Sequence, residues 1–233
     1  MNYAPVVVFA FNRPDLLKSC VASLLANEEA AASDLYVFVD GPRPEHPADQ
    51  GQVDAVREYV KTISGFRSLH YQFAERNRGL APSVISGITA VIGQYGRAIV
   101  VEDDLYVSDN FLAFVNAGLD RYLDDQDVFS VCGYSNKVRT PKQDACDAYF
   151  CVRSCSWGWG TWKDRWESVD WDLADWPRHR KNACRFKSDF DRSGRKDFRF
   201  PAEREINPSL YRQALSYHSI PIRLYSRIMY WFH

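Results

Sequence analysis

Ala98-Ile99-Val100-Val101-Glu102-Asp103-Asp104 is a short apolar run that ends in three adjacent acids. An apolar run of this length reads as a strand buried on both faces, the kind found inside parallel sheets. Acids at its end cannot go into the interior without a partner, because an isolated buried charge costs several kcal/mol or is neutralised. A divalent cation is the natural partner. Mg2+ and Mn2+ prefer oxygen ligands and share them with substrate phosphates. A bland alternative is an acidic cluster at a helix start, where acids suit the helix dipole. The directness with which the acids follow the apolar run favours a metal and phosphate site.

Working outward, the first half of the chain alternates between the two hydrophobic periods. Val6–Phe11 is a second continuous apolar run, broken by Arg13-Pro14-Asp15. Leu16, Leu17, Cys20, Val21, Leu24 and Leu25 then recur at helical spacing. Leu35–Val39 predicts a strand ending at the turn signal Asp40-Gly41-Pro42, and Arg43–Gln52 reads as a polar surface loop. Val53, Val56, Val60 and Ile63 predict a helix, Leu69–Phe73 a strand, and Leu80, Val84, Ile88, Val91 and Ile92 another helix. Repeated strand–helix units with short loops predict an open, mostly parallel sheet flanked by helices. Ligands in such sheets bind at the carboxyl ends of the strands. Asn12-Arg13, Asp40-Gly41, Asn77-Arg78-Gly79 and Glu102-Asp103-Asp104 all fall at predicted strand ends.

Beyond Asp104 the pattern changes. Phe111, Phe114, Val115, Leu119 and Tyr122 suggest a helix, and Val128–Val131 and Tyr149–Val152 suggest strands. Ser156-Trp157-Gly158-Trp159-Gly160-Thr161-Trp162 follows. Alternating Trp and Gly does not suit a packed helix. Glycine lets the backbone approach a ligand, and indole faces stack on sugar rings, so the loop fits acceptor or sugar binding; a Trp-rich core plug is the rival. Trp162 and Trp166, at i and i+4, are expected in the core. We divide the chain into a domain at 1–176 and a basic, aromatic carboxyl-terminal segment at 177–233.

The 46% apolar and 25% charged composition is that of an ordinary globular protein, and a net charge of −1 gives no whole-molecule pull toward nucleic acid. The charge is uneven: residues 173–233 carry 13 Lys and Arg against 6 Asp and Glu. A basic tail ending in Ile228-Met229-Tyr230-Trp231-Phe232-His233 is expected to be either an altered terminus or a peripheral membrane contact. Met1–Pro14 lacks a basic start and no apolar window reaches the ~18 residues of a membrane span, so a cytoplasmic location is expected, with peripheral contact at the inner face of the membrane as a variant. The six cysteines include no CxxC pair and are expected as reduced thiols. No Gly-x-Ser-x-Gly or Gly-Lys-Ser/Thr element is present, which argues against hydrolase and P-loop chemistry.

Val-Val-Glu-Asp-Asp-Leu-x-Val-x-x-x-Phe at 100–111 resembles the metal motif of nucleotide-sugar glycosyltransferases with the GT-A (Rossmann-like) fold. The likeness is to bacterial glycosyltransferase family 2 sugar transferases and N-acetylglucosaminyltransferase I, and it covers roughly residues 5–172. It implies an α/β fold with a mostly parallel sheet and a Trp-rich acceptor side. It implies Asp104 as ligand of Mn2+ or Mg2+ bridging a donor diphosphate, and Asp103 near the ribose. Asn12 and Arg13 would contact the nucleotide, Asp40 would accept from the uracil ring, and Arg78, in an element resembling Asn-x-Gly-Leu, would reach the diphosphate. Trp157, Gly158 and Trp159 would line the acceptor or sugar side. Ordinary turn and helix-start roles stay open for Asp40, Asn77 and Gly79.

The resemblance implies metal-dependent, inverting transfer of a sugar from a nucleoside diphosphate sugar, with UDP as the expected nucleotide, to a hydroxyl of a glycan or lipid-linked acceptor. Inversion needs a carboxylate base near that hydroxyl. Phe190-Asp191-Arg192-x-Gly194 still looks family-like, and Asp191 and Glu205 are the candidates, with Asp189 and Glu203 nearby. The alternative is a nucleotide-sugar-binding protein in which the base region is altered and transfer is lost.

Overall fold

The computed structural model describes residues 3–134, 148–151, 155–171 and 227–231. Four parallel strands form its centre: β1 (Val6–Ala10), β2 (Asp34–Val39), β3 (Ser68–Phe73) and β4 (Arg97–Glu102), in the spatial order β3-β2-β1-β4. β1 and β4 are the two continuous apolar runs, and both are buried almost throughout. The sheet continues through β7 (Trp159–Trp162), β5 (Val128–Cys132), β8 (Arg227–Trp231) and β6 (Ala148–Cys151). β7 runs antiparallel between β4 and β5. This is the α/β sheet with a parallel first half that the alternation of strand and helix periods predicts.

Helices cover both faces. α1 (Pro14–Leu25) starts with Pro at its first position and Asp15 in its first turn, both suited to a helix amino terminus. With α2 (Ala48–Thr62) and α4 (Phe111–Arg121) it packs Leu17, Val21, Val56, Val60, Leu112 and Val115 against Val6, Val8, Val37 and Val101. α3 (Leu80–Tyr95) and α5 (Lys163–Glu167) close the other face, where Ile88, Val91 and Trp166 meet Val7, Val100 and Trp159. Strand alternation thus feeds two cores. α3 stops at Gly96, whose φ of 78° is the left-handed conformation of a helix carboxyl cap.

Two expectations are corrected. The stretch 43–52 is not all surface loop: α2 begins at Ala48, and Asp49 in its first turn is buried. The Trp-Gly stretch enters the sheet as β7, because its residues face closely packed neighbours. A Cβ on Gly160 would lie 2.8 Å from Val115 Cγ1. Within the aromatic carboxyl-terminal segment, Arg227–Trp231 form β8. Its backbone pairs with β5 on one side and β6 on the other, as suits a β-branched and aromatic segment. No helix among the described residues is long and apolar enough to cross a membrane.

Candidate nucleotide-sugar site

Because β1 to β4 are parallel, their carboxyl ends open on one edge, and all four predicted polar clusters arrive there. Arg13 stands at the end of β1, directly before α1. Its guanidinium bridges the acid motif: Nη2 donates to Asp103 Oδ1, and Nη1 donates to Asp104 Oδ2 at 2.9 Å. The two acids differ sharply in exposure, 2% for the Asp103 side chain and 39% for that of Asp104. Burial pushes the Asp103 carboxyl above its ordinary range, and the Arg13 charge opposes that push. Asp103 Oδ2 is buried with no hydrogen-bond partner among the described residues.

Glu102, the last residue of β4, is half-buried, and its carboxyl is also raised, by burial and then by the Asp104 charge. The thiol of Cys20 on α1 donates to its carbonyl at 3.4 Å. That thiol is pushed up to about 12 by burial and by the charges of Asp103 and Asp104, so it is an inert packing group.

The loop after the acids is fastened to α1 by two buried polar side chains. Ser23 Oγ accepts from the Val107 N–H at 3.1 Å. Asn27 Nδ2 donates to the Ser108 carbonyl at 3.0 Å, and Asn27 Oδ1 accepts from the Leu112 N–H at 2.9 Å. Neither residue was singled out from sequence, since a Ser and an Asn inside or just after a helix carry no motif.

Asp49 is a further residue that the sequence left unmarked. It gathers the first two strand ends: Oδ1 accepts from Asn12 Nδ2 at 3.0 Å, and Oδ2 accepts from Arg43 Nε at 2.6 Å. These partners hold its carboxyl well below the usual range, Arg43 most of all. Arg43 also lies over the Phe11 ring, 5.5 Å from its centre. Asn12 is thus oriented by Asp49.

The second and third strand ends are zipped together. Asp40 Oδ1 accepts from the N–H groups of Gly41 and Arg78, both at 2.9 Å, and Asp40 Oδ2 accepts from the Gly79 N–H at 3.0 Å. Asn77 Nδ2 donates to the Gly41 carbonyl at 3.1 Å. The loops approach so closely that a Cβ on Gly41 would lie 2.4 Å from the Arg76 backbone. Asp40 therefore orders the start of α3 while the Arg78 side chain stays exposed.

The Trp-rich stretch separates into two environments. Trp157 is half-exposed and meets the Tyr134 ring edge-on, with ring centres 4.6 Å apart. Gly158, at φ 72°, makes the turn between them, and a Cβ there would strike Phe111 at 2.9 Å. Trp159 is a correction: it is buried in the second core beside Trp166 and has no face for a sugar. Trp162 and Trp166 are core, as expected. Asp191 and Glu205 lie outside the described residues.

The donor set suits a hard divalent cation in a particular way. Among the described residues no cluster of three or more acids, His or Cys forms an all-protein cage. One partly exposed carboxylate, Asp104, with Oδ1 not engaged by Arg13, matches the usual Mg2+ arrangement of one or two carboxylates completed by substrate phosphates and water.

No family model matches the chain. Among solved structures it is similar to the mannosyltransferase PcManGT from Pyrobaculum calidifontis in complex with GDP-Man and Mn2+, at 18% identity and a TM-score of 0.40, over 57% of this chain and 36% of that one. It is also similar to S. aureus TarS 1–349 in complex with UDP-GlcNAc, at 14% identity and a TM-score of 0.39, over 62% of this chain and 39% of that one. A longer S. aureus TarS structure matches at 13% identity and a TM-score of 0.39, over 63% of this chain and 24% of that one. The chain thus spans well under half the length of each of these three structures.

Proposed function

We propose that this chain is a metal-dependent glycosyltransferase that moves a hexosyl or N-acetylhexosaminyl group from a uridine diphosphate sugar to a hydroxyl of a glycan or lipid-linked acceptor. The observation that carries this reading is the acid pair at the end of β4. Asp103 is buried with an orphan oxygen, and Asp104 beside it stands at the surface of an edge where three other polar strand ends converge.

Asp104 and the donor diphosphate would hold Mn2+ or Mg2+, which when bound neutralises charge growing on the departing nucleotide. Asp103, held by Arg13, would lie near the donor ribose. Asn12, held by Asp49, and Arg13 border the nucleotide pocket, and Asp40 shapes it by ordering the 77–79 turn at the start of α3. Arg78 reaches toward the diphosphate from that turn. Trp157 offers an exposed indole face to the acceptor or sugar. Inversion requires a carboxylate base, for which Asp191 and Glu205 are the candidates.

Release of nucleoside diphosphate from a panel of nucleotide sugars, with and without hydroxyl acceptors, tests the proposal. Acceptor-dependent release that is lost in Asp104→Asn supports transfer. Donor binding without release by any acceptor supports a nucleotide-sugar-binding role instead.

A further inference from the structure

Arg13 already occupies the acid pair as a cation. Its Nη1 lies 2.9 Å from Asp104 Oδ2 while its Nη2 holds Asp103 Oδ1. We infer that Arg13 is a built-in counter-cation whose charge opposes a divalent ion on Asp104 until a diphosphate draws it away, so that metal and nucleotide bind together rather than singly. The inference rests on the reading of Asp104 as the metal ligand.

The two halves of the bridge are unequal, which decides which one gives way. Asp103 is almost wholly buried and has one oxygen without a partner. Removing Arg13 from it would leave a buried carboxylate without its counter-charge, a strongly unfavourable state. Asp104 is exposed enough to be solvated on its own, so its half of the bridge is worth little. The guanidinium therefore keeps Asp103 and releases Asp104.

A divalent ion on the Asp104 carboxylate would sit about 2.1 Å from its oxygen, within roughly 5 Å of the guanidinium if Arg13 stayed in place. Repulsion between a divalent and a monovalent cation at that range weakens binding of the bare ion by roughly tenfold or more even when well screened. A diphosphate removes the conflict, because its oxygens offer the half of the guanidinium released from Asp104 another charged acceptor. Arg13 thereby couples the two ligands, and each raises the affinity of the other by the same factor.

The test is titration of Mn2+ alone, followed by the electron paramagnetic resonance signal of the free ion, and then titration with UDP present. Wild type, Arg13→Gln, Arg13→Lys and Asp104→Asn are compared. Arg13→Gln is expected to bind Mn2+ alone roughly tenfold more tightly than wild type, and to gain less from UDP than wild type does. Arg13→Lys, whose compact ammonium lacks the planar two-nitrogen fork, is expected to fall between them, and it decides the matter if the glutamine variant does not fold. Mn2+ affinity without nucleotide that is unchanged or weakened in the Arg13 variants, while Asp104→Asn loses the ion, overturns the exchange and leaves the metal site standing. Equal Mn2+ binding by wild type and Asp104→Asn in the presence of UDP overturns both.

Discussion

Asp40 Oδ2 accepts a hydrogen bond from the Gly79 N–H at 3.0 Å, so an acid at the end of β2 sets the first turn of α3. The other carboxylate oxygen takes the N–H groups of Gly41 and Arg78. In Asp40→Asn the amide NH2 must face one of these donors, which leaves an N–H unpaired at a cost of about 1–3 kcal/mol. Denaturant unfolding should register that loss, and UDP affinity should fall with it because the 77–79 turn is released. A loss of affinity with unchanged stability would instead make Asp40 a direct ligand contact.

Trp157 and Trp159 should behave oppositely when truncated. Trp159→Ala opens a cavity in the second core and is expected to cost about 3–5 kcal/mol. Trp157→Ala loses one edge-on ring contact, worth about 1 kcal/mol, but should raise the KM for the acceptor or donor sugar severalfold. Thermal unfolding and steady-state kinetics on both variants separate the two roles.

Stability in acid should depend on Asp34, at the opposite edge of the sheet. Its buried carboxylate accepts from Arg67 Nε at 2.8 Å, from Ser68 Oγ at 2.6 Å and from the Tyr95 hydroxyl at 3.0 Å. Arg67 above all holds its pKa far below the ordinary value. With the folded pKa depressed, the stabilisation is fully present above the unfolded value of about 3.9 and is lost as pH falls through the folded one. Asp34→Asn should therefore be less stable than wild type by about 2 kcal/mol at neutral pH, with the gap narrowing from about pH 4 downward. Unfolding midpoints measured from pH 2 to 8 check this.

The legible parts of this molecule were those written in continuous apolar runs and helical periods. β1 and β4 announce themselves because both faces are buried, and α1 because Pro14 and Asp15 mark its start. The acid motif was readable because charge directly after a buried strand demands a partner. What was not readable depends on long-range company. Asp49 looks like one more polar residue until Asn12 and Arg43 close on it from 37 and 6 positions away. Asp40 and the 77–79 turn each read as a ligand contact, yet they bind one another. β7 was hidden because two glycines between tryptophans imitate a loop, and only the side chains of Val115 and Leu119 show why nothing larger than glycine fits at position 160.

On the proposed function, Asp104 holds a divalent ion together with a nucleoside diphosphate. Isothermal titration of UDP into wild type and Asp104→Asn, each with Mn2+ and again with excess chelator, tests it most directly. Wild type is expected to bind UDP at least roughly tenfold more tightly with Mn2+ than without, and Asp104→Asn to show no such gain. Equal Mn2+ dependence in the two proteins would contradict it.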